Sequence, residues 1–320
     1  MAELTGDAGQ REWTAVPRSF KDLHFVVVGA YVADCFVNTS QLPVWGREVE
    51  ARAIRTTPGG KALNQAVALA RLGAQVTAVG AVGGDGIGRD VLAALRRERV
   101  DIRCIDVREA AATTICLCFV SNDGDSAIVW HIDNDVAVTP ETVRAAARAV
   151  EQADAALITF EQPVSAVAEA IASARHGGAR IFLQPAPQLA DPGEAAAIPW
   201  DQVDVLMPNE IEARALLKNG DDLPADGLAA ALAGELGTPV VVVTLGESGC
   251  TVYEGGASWR YTAQQSAAVD TTGAGDAFAA TFAAHFTAGE AVADAVEAAG
   301  NAAAWAVRHP GGHESMPAQC

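Results

Sequence analysis

The chain has 320 residues, 50% of them hydrophobic, with 22 basic against 40 acidic side chains and a net charge of −18. That length suits one large α/β domain or two smaller ones, and no apolar run approaches the ~20 residues of a membrane span. An acidic surface repels polyphosphate backbones, so nucleic acid and membrane drop out as partners and a nucleotide needs a local site.

Residues 1–22 mix Pro, Gly, Arg and Glu without the apolar core of a signal peptide, which predicts a flexible extension ahead of a domain over 23–320. The six cysteines contain no C-x-x-C pair, and a chain of this size needs no disulfide staples, so a reducing cytoplasm fits. His24–Gly29 reads as a buried strand ending in glycine, the kind that opens a parallel sheet. Asp34 is expected in the loop after it, where open α/β sheets gather ligands; the plainer alternative is an ordinary loop acid. Residues 36–57 carry two short β-like stretches around Pro43 and Gly46, too polar for a sheet core, which suggests an excursion lying over something.

Pro58-Gly59-Gly60 breaks the chain before an amphipathic helix, Lys61–Leu72, that Gly73 stops. Lys61 and Asn64 lie in its first turn, where a lysine opposes the helix dipole and serves a ligand better than the helix. This is not a P-loop, because Arg55 occupies the upstream glycine's place and Ala62 follows the lysine. Gly83–Gly88, after the strand Gln75–Gly80, also misses a dinucleotide-binding spacing, since Arg89 stands where the third glycine belongs; it reads as a turn into the helix Arg89–Arg99.

Thr113–Ser121 and Ser126–His131 flank Asn122-Asp123-Gly124-Asp125, a hairpin signal, and with residues 36–57 they predict a small β lid over the main sheet. Cys116 and Cys118 share one strand face, as buried free thiols do, while His131, Asp133 and Asp135 lack metal-ligand spacing and read as solvated loop residues. From Thr139 the βα alternation is regular. Thr139-Pro140-Glu141 caps a helix, Ala155–Phe160 is a strand ending at Glu161, and Ser165–His176 is a helix closed by Gly177-Gly178. Strands follow at Arg180–Leu183, at Val205–Met207 running into Pro208-Asn209-Glu210-Ile211-Glu212, and at Val240–Leu245 before Gly246-Glu247-Ser248-Gly249; a hairpin turns at Gly255-Gly256. Such alternation implies a mostly parallel sheet covered on both faces.

Val269–Phe278 then reads as a strand end, a glycine turn and a helix whose apolar face holds Phe278, Phe282, Ala283 and Phe286. Gly273-Ala274-Gly275 leaves backbone N–H groups free at the helix start, a ready-made anion site with Asp276 at its mouth. Asp276 either stabilises the dipole or removes a proton from a hydroxyl while the amides neutralise a phosphoryl group. The convergence of Glu161, Asn209, Gly246 and the Asp270–Asp276 turn at one sheet edge favours the second reading.

Gly59-Gly60-Lys61-Ala62-Leu63-Asn64-Gln65-Ala66 and Asp270-Thr271-Thr272-Gly273-Ala274-Gly275-Asp276, with Pro208–Glu212 and Thr244–Gly249 in order between them, resemble the ribokinase family of sugar and nucleoside kinases, the PfkB group. The resemblance runs from about His24 to Pro317. It implies an α/β, ribokinase-like three-layer sandwich with a mostly parallel central sheet and a small β lid, acting with ATP as co-substrate and Mg²⁺ as helper. By the same resemblance Asp276 is the general base, Gly273, Ala274 and Gly275 form the anion hole, and Asp34, Gly60, Lys61, Asn64 and Glu161 hold the sugar or nucleoside. Asn209, Thr244, Leu245, Gly246, Glu247, Ser248 and Gly249 line the nucleotide site, and Glu212 organises the Mg²⁺ shell through water. A K⁺ activator is implied at Asp270, Thr272, Ala306, His309, Gly311 and Ser315, and a homodimer through the lid. Ribose is the first expected acceptor, although ribokinases carry asparagine where this chain has Val32.

Overall fold

The computed structural model describes residues 18–121, 126–185 and 195–318. After a 3₁₀ turn at Phe20–Asp22, strand β1 (His24–Val28) is followed by β2 (Val32–Asn38) and β3 (Ala53–Gly59), then helix α1 (Lys61–Arg71), β4 (Gln75–Gly83), α2 (Gly86–Arg97) and β5 (Asp101–Arg108). β6 (Ile115–Val120), β7 (Ser126–Val129), α3 (Pro140–Ala145), α4 (Ala147–Glu151), β8 (Ala155–Thr159), α5 (Val164–Gly177) and β9 (Arg180–Gln184) come next. The rest is β10 (Val205–Leu206), α6 (Glu210–Leu216), α7 (Leu228–Leu236), β11 (Val240–Thr244), β12 (Cys250–Glu254), β13 (Ala257–Tyr261), α8 (Ala274–Ala288) and α9 (Val292–Ala306).

Among the described residues the main sheet has 9 strands in the order β13-β12-β11-β10-β9-β8-β1-β4-β5. It is parallel from β11 to β5, with the β12–β13 hairpin antiparallel at one edge. Period-2 burial sends Phe25 and Val27 of β1 to one face and Val26 and Val28 to the other. The first face packs α1, α2, α8 and α9, where Leu63, Val67, Phe278 and Phe282 recur at helical spacing; the second packs α3, α5, α6 and α7. The result is the expected three-layer sandwich.

The lid is a separate sheet ordered β3-β2-β6-β7. Its β strands lie at 32–38 and 53–59, flanking the 36–57 stretch rather than filling it. Asp34 is therefore mid-strand in β2 and not in a loop: Val32, Asp34 and Phe36 alternate with Ala33, Cys35 and Val37, and that alternation pairs with both β3 and β6. Pro58 and Gly59 belong to β3, and a proline is tolerated there because β3 is an edge strand. β6 and β7 pair antiparallel as the hairpin signal predicts, although the turn at 122–125 lies outside the described residues. α2 starts at Gly86, capped by the Asp85 carboxylate that accepts from Gly88 N at 2.8 Å, so Gly86–Gly88 is helix rather than turn. Of the expected extension over 1–22, residues 18–22 are described, and the Arg18 guanidinium reaches Asp154 at 2.6 Å.

Candidate active site

The carboxyl ends of the parallel strands, the starts of α1 and α8, and the inner face of the lid enclose a cavity of about 460 Å³. Val32, Asp34, Gly60, Lys61, Asn64, Glu161, Asn209, Glu212, Thr244, Thr272, Gly273, Gly275 and Asp276 all line it. Leu245–Gly249 and Ala274 do not; the segment 246–248 is an exposed 3₁₀ turn just beyond Thr244.

Asp276 sits in the first turn of α8, nearly fully buried. Its Oδ2 accepts from Asn64 Nδ2 at 2.8 Å and its Oδ1 from Gln65 Nε2 at 3.3 Å. Gln65 Nε2 also donates to Gln184 Oε1, so one amide is held between Asp276 and the end of β9. Gly273 caps the helix at φ 79, a left-handed conformation that suits glycine, and a Cβ there would lie 2.8 Å from Met316 Cε. Among the described residues the amides of Gly273, Gly275 and Asp276 meet no backbone carbonyl, which leaves the donors of an anion site free.

Asp34 projects from β2 toward the same space and accepts from the Gly60 amide. Gly59 makes room for it, because a Cβ on Gly59 would lie 1.9 Å from Asp34 Oδ2. Lys61 Nζ donates to Glu212 Oε1 at 3.2 Å and to Pro185 O at 3.2 Å, standing among the carboxylates of Glu161, Glu212 and Asp276. Glu161 Oε2 is enclosed without a partner among the described residues, as a group awaiting a ligand hydroxyl would be.

Burial dominates the electrostatics. It raises Asp34 to about 7, against the Gly60 amide, and neighbouring Asp276 and Glu314 push the same way. Burial likewise raises Glu161 to about 7, opposed by Lys61, and Asp276 to about 6, opposed by Asn64, Lys61 and Gln65. The carboxylates together outweigh burial at Lys61, which is held above the ordinary lysine value. A cluster of acids around a single ammonium is poised to take up one proton near neutrality.

At the far end of the cavity, Asn209 and Glu212 form a reciprocal cap on α6: Asn209 Oδ1 accepts from Glu212 N at 2.8 Å and Glu212 Oε2 from Asn209 N at 2.9 Å. Each Glu212 oxygen accepts one bond and keeps a further lone pair, which fits a carboxylate reaching Mg²⁺ through its water shell. At the expected cation site, Asp270 Oδ1 accepts from Thr272 N and Oδ2 from Gly311 N, both at 2.9 Å, so Asp270 caps this turn whatever else it holds. The carbonyls of Thr272, His309 and Gly311 accept no hydrogen bond among the described residues, whereas that of Ala306 accepts from His309 N and Ser315 Oγ donates to Gly312 O at 2.7 Å.

A 3₁₀ turn at His313–Ser315 ties this region to the lid. Glu314 Oε1 accepts from Thr57 Oγ1 at 2.7 Å, and His313 Nδ1 lies 2.8 Å from Pro58 O, so β3 is anchored to the segment that also packs Met316 against Gly273. The sequence reasoning missed Gln65, Gln184 and Trp130. Gln65 follows Asn64 directly in the Gly-Gly-Lys motif and Gln184 ends a strand at the ligand edge, so both carried a signal; Trp130 carried none.

A model described as pfkB family carbohydrate kinase matches residues 22–319. The chain is 32% identical to a ribokinase of Mus musculus over 79% of this chain and 78% of that one. It is 32% identical to a ribokinase of Bacillus subtilis over 91% and 95%. A structure of Arabidopsis thaliana ribokinase complexed with ribose and ATP superposes with a TM-score of 0.76 at 26% identity, covering 92% of this chain and 96% of that one.

Proposed function

The chain belongs to the pfkB family of carbohydrate kinases and is an ATP-dependent sugar kinase; from that premise we propose that it phosphorylates a pentose, D-ribose first, to ribose 5-phosphate. The observation that carries this reading is Asp276 buried at a helix start that no side chain caps, in one cavity with Asp34, Asn64, Lys61 and Glu161. Asp276 takes the proton of the primary hydroxyl as that oxygen bonds to the γ-phosphorus and the bond to the ADP oxygen breaks. Asn64 and Gln65 hold the carboxylate in place, and Asp34 and Glu161 fix the sugar by its other hydroxyls. The free amides of Gly273 and Gly275 offset charge on the phosphoryl oxygens. Asn209 and Thr244, with the Leu245–Gly249 turn and Ala274 beside them, receive the nucleotide.

Glu212 would hold Mg²⁺ through water, and the ion supplies charge neutralisation at the phosphates. Asp270, with the carbonyls near it, would hold K⁺. The lid exposes Ile54, Ile115, Leu117 and Val129, an apolar surface that a second copy would cover, and the cytoplasm, which supplies ATP, is the compartment of action. Among the described residues no helix is long and apolar enough to cross a membrane.

ATP-coupled turnover on a panel of pentoses and hexoses tests the proposal. Ribose should give the highest kcat/KM among free sugars, and Val32→Asn should raise it further, because Val32 is a cavity residue with no hydrogen bond to offer a hydroxyl. A hexose preferred over ribose would overturn the assignment.

A further inference from the structure

At the opposite end of the parallel strands from the active-site cavity, the starts of β1, β4 and β5 border a separate cavity of about 850 Å³, which shares no lining residue with the first. The break between α3 and α4 forms its other side. Thr77 pairs with Asp101 and Val79 with Cys104, so β5 carries one extra residue here and the ladder is interrupted by a bulge.

In a chain of net charge −18 this cavity is basic. Arg99, Arg103 and Arg148, all exposed, line it against one carboxylate, Asp101, and Arg103 already holds that carboxylate from Nη2 at 2.7 Å and from Nε at 3.0 Å. Among the described residues the guanidiniums of Arg99 and Arg148 make no ion pair or hydrogen bond. Arg99 is also held against its backbone preference. Val100 N donates to Leu95 O and Arg99 N to Arg96 O, the pair of bonds that closes a helix end whose left-handed position normally belongs to glycine. The helices α1, α5, α7 and α8 place Gly73, Gly178, Gly237 and Gly289 there, whereas α2 places Arg99 at φ 62, the one positive-φ residue other than glycine among the described residues. Arg96 and Arg97 already supply cations to the last turn of α2, so the helix dipole does not require a third.

We propose that this cavity is a binding site for a phosphate monoester of a small polyhydroxylated molecule, a sugar phosphate in chemical class, with Arg99 and Arg148 on the phosphate. A dianion offsets the excess positive charge, and a ligand explains the strain at Arg99 where the helix end does not. The space exceeds what a bare phosphate fills, and its remaining polar groups are neutral amides, a hydroxyl and an imidazole. Gln75 Nε2 donates to Lys21 O at 3.2 Å and keeps its Oε1 to accept from a hydroxyl, and Gln152 has no partner among the described residues. His24 Nε2 lies 2.9 Å from Thr77 Oγ1, which leaves Nδ1 for a ligand. No Phe, Tyr or Trp lines the cavity to stack a nucleobase, which favours a sugar over a nucleotide. The site uses none of the residues assigned to phosphoryl transfer and does not depend on that assignment.

Titration calorimetry of the full chain at fixed ionic strength and saturating ADP tests the site, with glucose 6-phosphate, inorganic phosphate and glucose as probes. Glucose 6-phosphate should bind, inorganic phosphate about tenfold more weakly, and glucose not at all. Arg148→Gln should weaken glucose 6-phosphate about tenfold with the melting temperature unchanged. Arg99→Gly should weaken it about as much while raising the melting temperature of the ligand-free protein, because glycine relieves the left-handed position. Asp276→Asn should leave the affinity as it is. Affinity unchanged in both arginine variants, or lost in Asp276→Asn, would place the ester in the first cavity and overturn the proposal, as would the absence of saturable binding. Inorganic phosphate binding as tightly as the ester would refute the sugar phosphate class. A melting temperature lowered by Arg99→Gly would show that the arginine serves the helix end, against the proposal.

Discussion

Asn64 Nδ2 donates to Asp276 Oδ2 at 2.8 Å across 212 residues of sequence, joining the start of α1 to the start of α8. The bond occupies one lone pair of the oxygen and leaves the other for a hydroxyl proton. The starts of α1 and α8 are thereby joined where both line the cavity.

Asp276→Asn keeps the shape and an oxygen to accept from one of the two amide neighbours, Asn64 or Gln65, but removes the ionisable carboxylate. Turnover should fall by ~10²–10⁴ while ATP affinity and melting temperature stay near the parent values. Calorimetric ATP titration alongside steady-state rates checks this, and near-parental turnover would remove Asp276 from the mechanism.

The rate should depend on a proton leaving Asp276. With this acid raised to about 6, kcat should drop roughly tenfold per pH unit below that value and level off above it. Gln65→Glu replaces a donor by a carboxylate facing Oδ1 and should move the acidic limb upward by roughly 0.5–1 pH unit. An unmoved limb in that variant would show that Gln65 does not tune the base.

Stability should move in the opposite sense. Asp34, Glu161 and Asp276 titrate in the folded chain at about 7, 7 and 6, against ordinary values of 3.8, 4.5 and 3.8, so between about pH 4 and 7 the folded state binds more protons than the unfolded one. Their contribution is fully present below the ordinary values and is lost as pH rises through the folded ones. Asp34→Asn or Glu161→Gln should therefore raise the melting temperature of the ligand-free protein at pH 8 by roughly 2–5 °C, and much less at pH 4. Equal gains at both pH values in calorimetry would exclude the ionisation as the cause.

Gly59→Ala should act on the sugar alone. A Cβ there would lie 1.9 Å from Asp34 Oδ2, so the carboxylate must leave its position, and KM for the sugar should rise roughly 10–100-fold with KM for ATP little changed. Parallel changes in both constants would mean that the lid strand itself had shifted.

Exchange of Na⁺ for K⁺ at constant ionic strength should raise kcat or ATP affinity. Asp270→Ala should abolish the response and loosen the Thr272 and Gly311 amides that Asp270 now holds. Equal rates in both salts would leave Asp270 as a turn cap only.

What could be read before the structure followed from periodicity and turn chemistry. Thr139-Pro140, the glycine stops and the period-2 runs of Val and Ile fixed the layers, because those signals are local. The site residues at strand ends were legible for the same reason, since a parallel sheet brings all such ends to one edge. Asp34 was placed at the correct end of β1 but in the wrong state, because whether 32–38 is strand or loop depends on β6 arriving alongside it from 77 or more residues away. Gln184 and Trp130 escaped for a related reason: their roles depend on which face of β9 and which side of the lid they occupy, and only tertiary register decides that.

The bonds from His313 and Glu314 to Thr57 and Pro58 join the edge strand of the lid to the same short turn whose Met316 lies against Gly273. Displacing that turn would therefore release the lid edge and the glycine at the start of α8 together, so the two walls of the cavity share one mechanical support.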